Sequence, residues 1–293
     1  MLLPATGDEL RQAVALARRA AATNPSAYGE DYSWFLLARG LAEYREGKFH
    51  QAISTMRGVT SRLDGPIARL VLAMALHQVG QLSEARKTLT AAILSNDWRS
   101  VMARDHSAWT CHLLRREAEE LILPDLPAFR RGEYQPQDNE ERLALLVGQL
   151  ASCEYEGLSG AAARLYSNAF AAEPKLADDV PAGARYRAAR AAVLAGCGQG
   201  KDAEQVDDQE RTSRRQQALD WLRQDLDWLT KRPDTSMPLV RQRLQPLLSD
   251  PDFAGVRAKD SLARLTAKER EEWMWLWSDV DALLRRVSGH ERP

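Results

Sequence analysis

The sequence predicts an all-α fold, a solenoid of stacked helix pairs closed by a long C-terminal helix. Two observations predict it. The first is self-similarity. Gly40-LAEYRE-Gly47-K-Phe49-HQ-Ala52 recurs as Ala73-MALHQV-Gly80-Q-Leu82-SE-Ala85, with an offset of 33 residues at every matched position (47 to 80, 52 to 85). A fixed period in this range marks stacked repeats, each burying its apolar face only against its neighbours. The second is helical periodicity in the C-terminal third, where apolar residues fall three and four apart while the repeat signature fades.

Each repeat reads as an A helix with small residues at its middle, a turn holding Gly47 or Gly80, and a B helix with Ala52 or Ala85 near its start. The small residues let the two helices approach closely. The same five-residue step from Gly to Ala returns at Gly157 and Ala162, and a fourth, stretched pair is expected from Ala184 to about Lys231, with Ala218 in its B helix.

In ALDWLRQDLDWLTK, Leu219, Leu222, Leu226 and Leu229 form one stripe, and Trp221 and Trp228 form a second about 120 degrees away. Such a helix packs on two sides. Near the end, Thr266-A-K-Glu269 is a capping box, followed by Trp273, Leu276, Trp277, Val280, Leu284 and Val287 on one face of a terminal helix. Trp275 lies on the opposite face. Packing beneath the PDFAGVR segment is the expectation for it, and an exposed docking position is the alternative.

The expected organisation is an N-terminal array over 1–123, with a partial repeat at 8–27, repeats at about 33–64 and 66–97, and an extra helix at 105–123. A Pro-rich and polar linker at 124–139 follows, then a second array over 140–232 and a helical cap over 233–293 that opens with the polar PDTSMP stretch.

Composition removes several function classes. The 293 residues carry 44% apolar side chains, enough for a sizeable core, and a formal charge of -1. No excess of basic charge is present to neutralise phosphates, so nucleic acid is not an expected partner. Cys111, Cys153 and Cys197 lie about forty residues apart, an odd count without a CxxC pair, which fits a reducing cytoplasm better than a disulfide framework. The first ten residues, MLLPATGDEL, carry acids and no apolar h-region, and no apolar run is long enough to span a bilayer. The expectation is a cytoplasmic protein with no membrane association.

The repeats resemble the tetratricopeptide (TPR) motif, which asks for a small residue at position 8, an aromatic near 11 or 12, Gly at 15, an aromatic at 17, Ala at 20 and 27, and Pro at 32. Gly40, Tyr44, Gly47, Phe49 and Ala52 meet it in one repeat, and Ala73, Gly80, Leu82, Ala85 and Ala92 in the next. Val59 and His77 depart from it. Ala13, Ala20 and Pro25 match the second half of a repeat whose A helix is missing, and Gly157, Ala162, Tyr166, Ala169 and Pro174 match again. The resemblance implies a right-handed superhelix whose concave surface binds a peptide or partner helix, with no cofactor and no catalysis. In its register, Trp34, Leu37, Leu41, Tyr44 and Arg45 of one A helix and Leu70, Met74, His77 and Gln78 of the next would line that groove. Packing against a neighbouring helix is the competing role for the same residues. Leu37 and Leu41 stand where the carboxylate-clamp subtype carries Lys and Asn, so an acidic C-terminal tail is not the implied ligand.

RYRAARAAVLAGCGQGKDA, ALDWLRQDLDWL, VRQRLQPLLSDPDFAGVR and EEWMWLWSDVDALLRRV, together with LAMALHQVGQLSEAR and LRREAEEL, also resemble the C-terminal TPR tail of multidomain bacterial serine/threonine protein kinases. That likeness implies a regulatory or substrate-recruiting module beside a kinase domain that this sequence lacks.

Candidate chemistry is sparse. Ala103-Arg104-Asp105 lacks the leading His of a kinase catalytic loop, and Thr110 stands where a metal-binding Asn belongs. Gly196-Cys197-Gly198-Gln199-Gly200-Lys201 has the wrong spacing for a phosphate loop, Asp202 replaces the hydroxyl residue, and a helix precedes it. Those glycines are expected to end a helix. His106 and His112 flank Cys111 without a third convergent ligand, and Glu117, Glu119 and Glu120 beside Arg115 and Arg116 read as a solvated face.

Overall fold

The computed structural model describes residues 7–22, 32–63, 65–99, 106–178, 183–231 and 237–289, and among them every regular element is helical. Pro25, the Ala103 to Asp105 triplet and most of the 233–238 stretch lie outside the described residues. By its contacts the chain forms two compact units, Met1–Ser152 and Cys153–Pro293. The 124–139 segment, expected as a linker, falls inside the first unit and carries a short helix of its own.

The first unit contains α1 (Asp8–Ala21), α2 (Tyr32–Arg45), α3 (Phe49–Thr60), α4 (Ile67–Gln78), α5 (Leu82–Leu94), α6 (His106–Ile122), α7 (Leu126–Arg130) and most of α8 (Asn139–Glu156). Helices α1 through α5 each pack on the next, and α6 lies against both α4 and α5. α4 is consequently buried almost all round, from Leu70 to Leu76. Gly40 marks a close approach of α2 and α3: a Cβ there would sit 3.2 Å from Thr55 Cγ2 and 3.3 Å from Met56 Cγ, and would displace the Met56 Cε methyl. Glu43, buried beside it, is satisfied by Thr55 Oγ1 at 2.7 Å and by Arg39 Nε at 2.8 Å.

The second unit contains α9 (Ser159–Ala172), α10 (Lys175–Asp178), α11 (Ala184–Gly196), α12 (Asp208–Thr230), α13 (Met237–Ser249), α14 (Ala254–Arg257), α15 (Lys259–Leu262) and α16 (Ala267–Gly289). α11 is its centre, packed between α9 and α12. The predicted Leu219, Leu222, Leu226 and Leu229 stripe is buried, and Trp221 meets Phe170 edge-on at 5.6 Å. α16 opens with both halves of its capping box, Glu269 N–H on Thr266 Oγ1 and Thr266 N–H on Glu269 Oε2.

One turn recurs in both units. Gly47, Gly80, Gly157 and Gly198 all have φ between 71° and 79°. At each, the glycine N–H returns to the carbonyl three residues back, and the next N–H to the carbonyl five back: Gly47 to Tyr44 and Lys48 to Glu43, Gly80 to His77 and Gln81 to Leu76. Gly157 to Glu154 and Leu158 to Cys153, then Gly198 to Ala195 and Gln199 to Leu194, repeat the pattern. This is the Schellman closure, which satisfies the last helix carbonyls and reverses the chain. After the first three turns Ala52, Ala85 and Ala162 are buried within the pair. After Gly198 an insertion delays the second helix until Asp208, which accounts for the stretch in the fourth pair.

Three sequence expectations shift in register. In α1 the buried stripe is Val14, Ala17 and Ala21, while Ala13 and Ala20 are half-buried, unlike Ala52 and Ala85. In α16 Leu283 is buried and Leu284 only partly so. Trp275 is 57% exposed; Trp277, two residues on, packs at the PDFAGVR segment instead, donating Nε1–H to Val256 O at 2.7 Å and meeting Phe253 at 6.1 Å. Two residues along a helix is a rotation of about 200 degrees, so only one of the two can face the core.

Candidate partner-binding surface

The residues assigned to a groove divide sharply. Leu37, Leu41, Tyr44, Leu70 and Met74 are in the core, Leu70 and Met74 completely, because α6 lies along α4 on the face where a ligand would have to sit. Leu41, Tyr44, Leu70 and Met74 therefore do not line an open surface, and Leu37 shows only an edge of its side chain. Arg45 is ion-paired across the same face to Glu117 of α6 and stacks over Tyr44 at 5.4 Å. Burial and the nearby Glu117 raise the Tyr44 phenol, and the Gln78 side chain hydrogen-bonds it. His77 is half-buried, its Nδ1 without a hydrogen-bond partner, and burial together with Arg86 lowers its pKa. Trp34 is 47% exposed and Gln78 is exposed.

Trp34 borders a pocket of about 270 Å³ that sequence reasoning did not assemble. Its walls come from the first two turns of three helices: Trp34 and Leu37 of α2, Ile67 and Ala68 of α4, and Ala108 and Cys111 of α6. Leu63 and Pro66 close the α3 to α4 side. The small side chains at 108 and 111 keep α6 from filling the space between the helix ends. The one signal in the sequence was Trp34, an aromatic in the first turn of an A helix, outside the middle positions that set the repeat.

Two further apolar exposures stand apart from this pocket. Trp109 and Leu113 lie four apart on the outer face of α6, and Met274 and Trp275 are more than half exposed on α16. His112, by contrast, is buried against Trp98, ring to ring at 5.4 Å, and burial and Arg115 lower its pKa. Arg115 itself is buried in an ion pair with Glu119 at 2.8 Å, so part of the predicted solvated face is internal.

The glycine-rich turn after α11 uses its own N–H groups. Those of Gly198 and Gln199 close the helix, Lys201 N–H donates to Gly157 O, and Asp202 accepts from Gly160 N and Ala161 N at 3.1 and 2.8 Å. Asp202 thereby anchors the start of α9. Cys197 in this turn is pushed up to about 11 by burial, with Glu269 adding to the shift and Arg215 opposing it.

No known protein-family model matches this sequence, and comparison with curated proteins and with solved structures gives no match either. The residues of the two units therefore carry the functional reading by themselves.

Arginines of α11 form the densest electrostatics in the second unit. Arg185 and Arg190 are buried, the first bridging Asp225 at 2.7 Å and Asp178 at 3.0 Å, the second 3.7 Å from Asp252. Tyr166 donates to Glu154 at 2.7 Å, and burial holds its phenol far above the usual range. These groups join helices to one another. Among the described residues no three His, Cys, Asp or Glu side chains converge as a metal site, and no helix is long and apolar enough to cross a membrane.

Proposed function

We propose that this chain is a non-catalytic protein-interaction scaffold of the TPR-type solenoid class, which holds an apolar side chain of a peptide or partner helix in the Trp34 pocket. The observation that carries the reading is the pairing of a half-exposed tryptophan with an apolar recess built from the N-terminal ends of three alternate helices, α2, α4 and α6. Interfaces concentrate binding energy in such places, where an anchor side chain is fully desolvated and a tryptophan supplies large contact area with few rotamers to freeze. The recurring Schellman turns and buried alanines support the solenoid class. The non-catalytic reading is supported by the placement of the usual nucleophiles and bases: Cys153 is buried, Cys197 is held as a thiol, and His112 packs as an apolar ring.

Selection of peptides from a random display library against the full chain tests this directly. Peptides with a recurrent aromatic or branched apolar residue are expected, and Trp34→Arg should abolish their capture without altering the helical circular dichroism. Capture that survives Trp34→Arg would place the binding surface elsewhere.

The resemblance of the α11, α12 and α16 segments to kinase-associated tails motivates a second reading, that the chain is a regulatory or substrate-recruiting C-terminal module of a bacterial serine/threonine protein kinase. Affinity capture from native extract with mass spectrometry tests it: a kinase enriched over the Trp34→Arg bait supports it, and its absence opposes it.

A further inference from the structure

A second recess lies in the second unit, at the C-terminal end of α11, and its chemistry is opposite to that of the Trp34 pocket. Arg211, Thr212 and Arg215 of α12 line it on one side, Ser261 of α15 and Arg264 just beyond it on the other, with Gln199 of the turn at its margin. Its volume is about 350 Å³.

The three guanidinium groups are committed to different degrees. Arg215 is fully engaged, with Nε 2.9 Å from Glu269 Oε1, one Nη on Gly196 O and the other on Thr212 Oγ1. Arg211 is not. One Nη reaches Ala203 O at 3.2 Å, the other is 3.5 Å from the fully exposed Asp208 carboxylate, and its buried Nε has no acceptor. Arg264 is exposed, and its side chain has no ion-pair partner among the described residues. With Glu269 and Asp208 counted against the three arginines, one positive charge is left over, beside the Ser261 hydroxyl and the Gln199 side-chain amide, which can donate to oxygen; the Thr212 hydroxyl is spent on Asp208 O at 3.0 Å.

One free and one partly engaged guanidinium group facing a polar recess match phosphate better than any other common anion. Their planar forks donate two hydrogen bonds at a time, they are weakly hydrated, and a phosphate ester offers three acceptor oxygens with nearly two charges at neutral pH. The recess also leaves room for the organic part of the ester. We propose that it binds a phosphate monoester, with Arg211 and Arg264 as the cationic ligands and Ser261 and the Gln199 side-chain amide as hydrogen-bond donors. This is a side-chain site: the backbone N–H groups of Gly198, Gln199 and Lys201 in the turn beside it are spent internally. The inference does not depend on the apolar pocket of the first unit.

Isothermal titration of the full chain at low salt, with free phosphoserine and with a phosphoserine pentapeptide, tests it. Saturable one-to-one binding of at least one probe is expected, weakening as salt is raised. Arg264→Gln should weaken it roughly tenfold, the equivalent of one charge-assisted hydrogen bond, and Arg211→Gln by at least as much. Equal affinity for both probes assigns the site to small phosphate esters, and a marked preference for the peptide assigns it to a phosphorylated partner. Amide resonances of Gln199, Thr212 and Ser261 should shift on titration, which keeps the test independent of whether Arg211→Gln folds. Absence of saturable binding for both probes, or an affinity unchanged in Arg264→Gln, would overturn the assignment.

Discussion

Arg45 Nη2 lies 2.6 Å from Glu117 Oε2, joining α2 to α6 over a sequence separation of 72 residues. The Arg45 side chain is only 8% exposed and that of Glu117 31%, so the pair is desolvated on one side and open on the other. It ties together the helices that cover α4, on the face where the sequence predicts a ligand groove.

Removing one partner from such a pair costs more than the pair contributes, because the remaining charge stays buried. Glu117→Gln is expected to lower unfolding free energy by about 1–3 kcal/mol, the exposure of Glu117 keeping it below the fully buried case. The Arg57 and Glu84 pair, with both side chains about half exposed, is the control. Glu84→Gln should change stability by less than about 0.5 kcal/mol. Urea unfolding of the two variants side by side measures the contrast.

Two glycines test two reasons for having no side chain. Gly80 has φ 79° with nothing within 4 Å of an added Cβ, so Gly80→Ala should cost about 1–2 kcal/mol from backbone conformation alone. Gly196 is helical, but a Cβ there would sit 2.8 Å from Arg211 O and 3.0 Å from Arg215 N, both backbone atoms of α12. Gly196→Ala must push α11 and α12 apart, and a larger loss, about 2–4 kcal/mol, is expected. Equilibrium denaturation that ranks Gly80→Ala as the more damaging would contradict the close approach of these helices.

Asp225 supplies a pH dependence. Burial pushes its carboxyl up to about 6, against the opposing hydrogen bond and charge of Arg185 and the charge of Arg243. In the unfolded chain it ionises near 3.8. Between those values the native state holds the extra proton, so this group's contribution to stability is full below about pH 3.8, falls as pH rises, and is gone above about pH 6. Asp225→Asn removes that slope. The stability of the wild type relative to this variant should therefore fall by on the order of 2–3 kcal/mol between pH 4 and pH 7. Parallel profiles for the two proteins would show that Asp225 does not titrate in this window.

Trp275 and Trp277 should respond in opposite ways. Trp275→Ala is expected to leave the melting temperature unchanged, since the ring is mostly in solvent. Trp277→Phe removes the donor to Val256 O and part of the stack on Trp273, with an expected loss of about 1–3 kcal/mol. Calorimetry of both variants distinguishes them.

Structure is legible in the sequence where local physics decides the outcome. Gly47, Gly80 and Gly157 end their helices because only glycine adopts positive φ without strain, and that requirement is visible as a letter at a fixed spacing. The leucine stripe of α12 is likewise visible, because burial on one face imposes a period. What was not legible depends on partners distant in sequence. Leu70 and Met74 fit a groove or a core equally well until α6 is placed over them. Arg185 and Arg190 carry the mark of surface residues, and carboxylates distant in sequence, Asp225 and Asp252, help to make their burial tolerable. The Trp34 pocket arises from helix ends, whereas repeat motifs describe helix middles.

The central claim, that the Trp34 recess receives a partner's side chain, is tested most directly at the ring itself. With a library-selected peptide added to uniformly labelled protein, the Trp34 indole N–H resonance and the amides of Ile67, Ala68, Ala108 and Cys111 should shift together and saturate with one binding constant. A bound peptide that leaves those resonances in place would contradict the account.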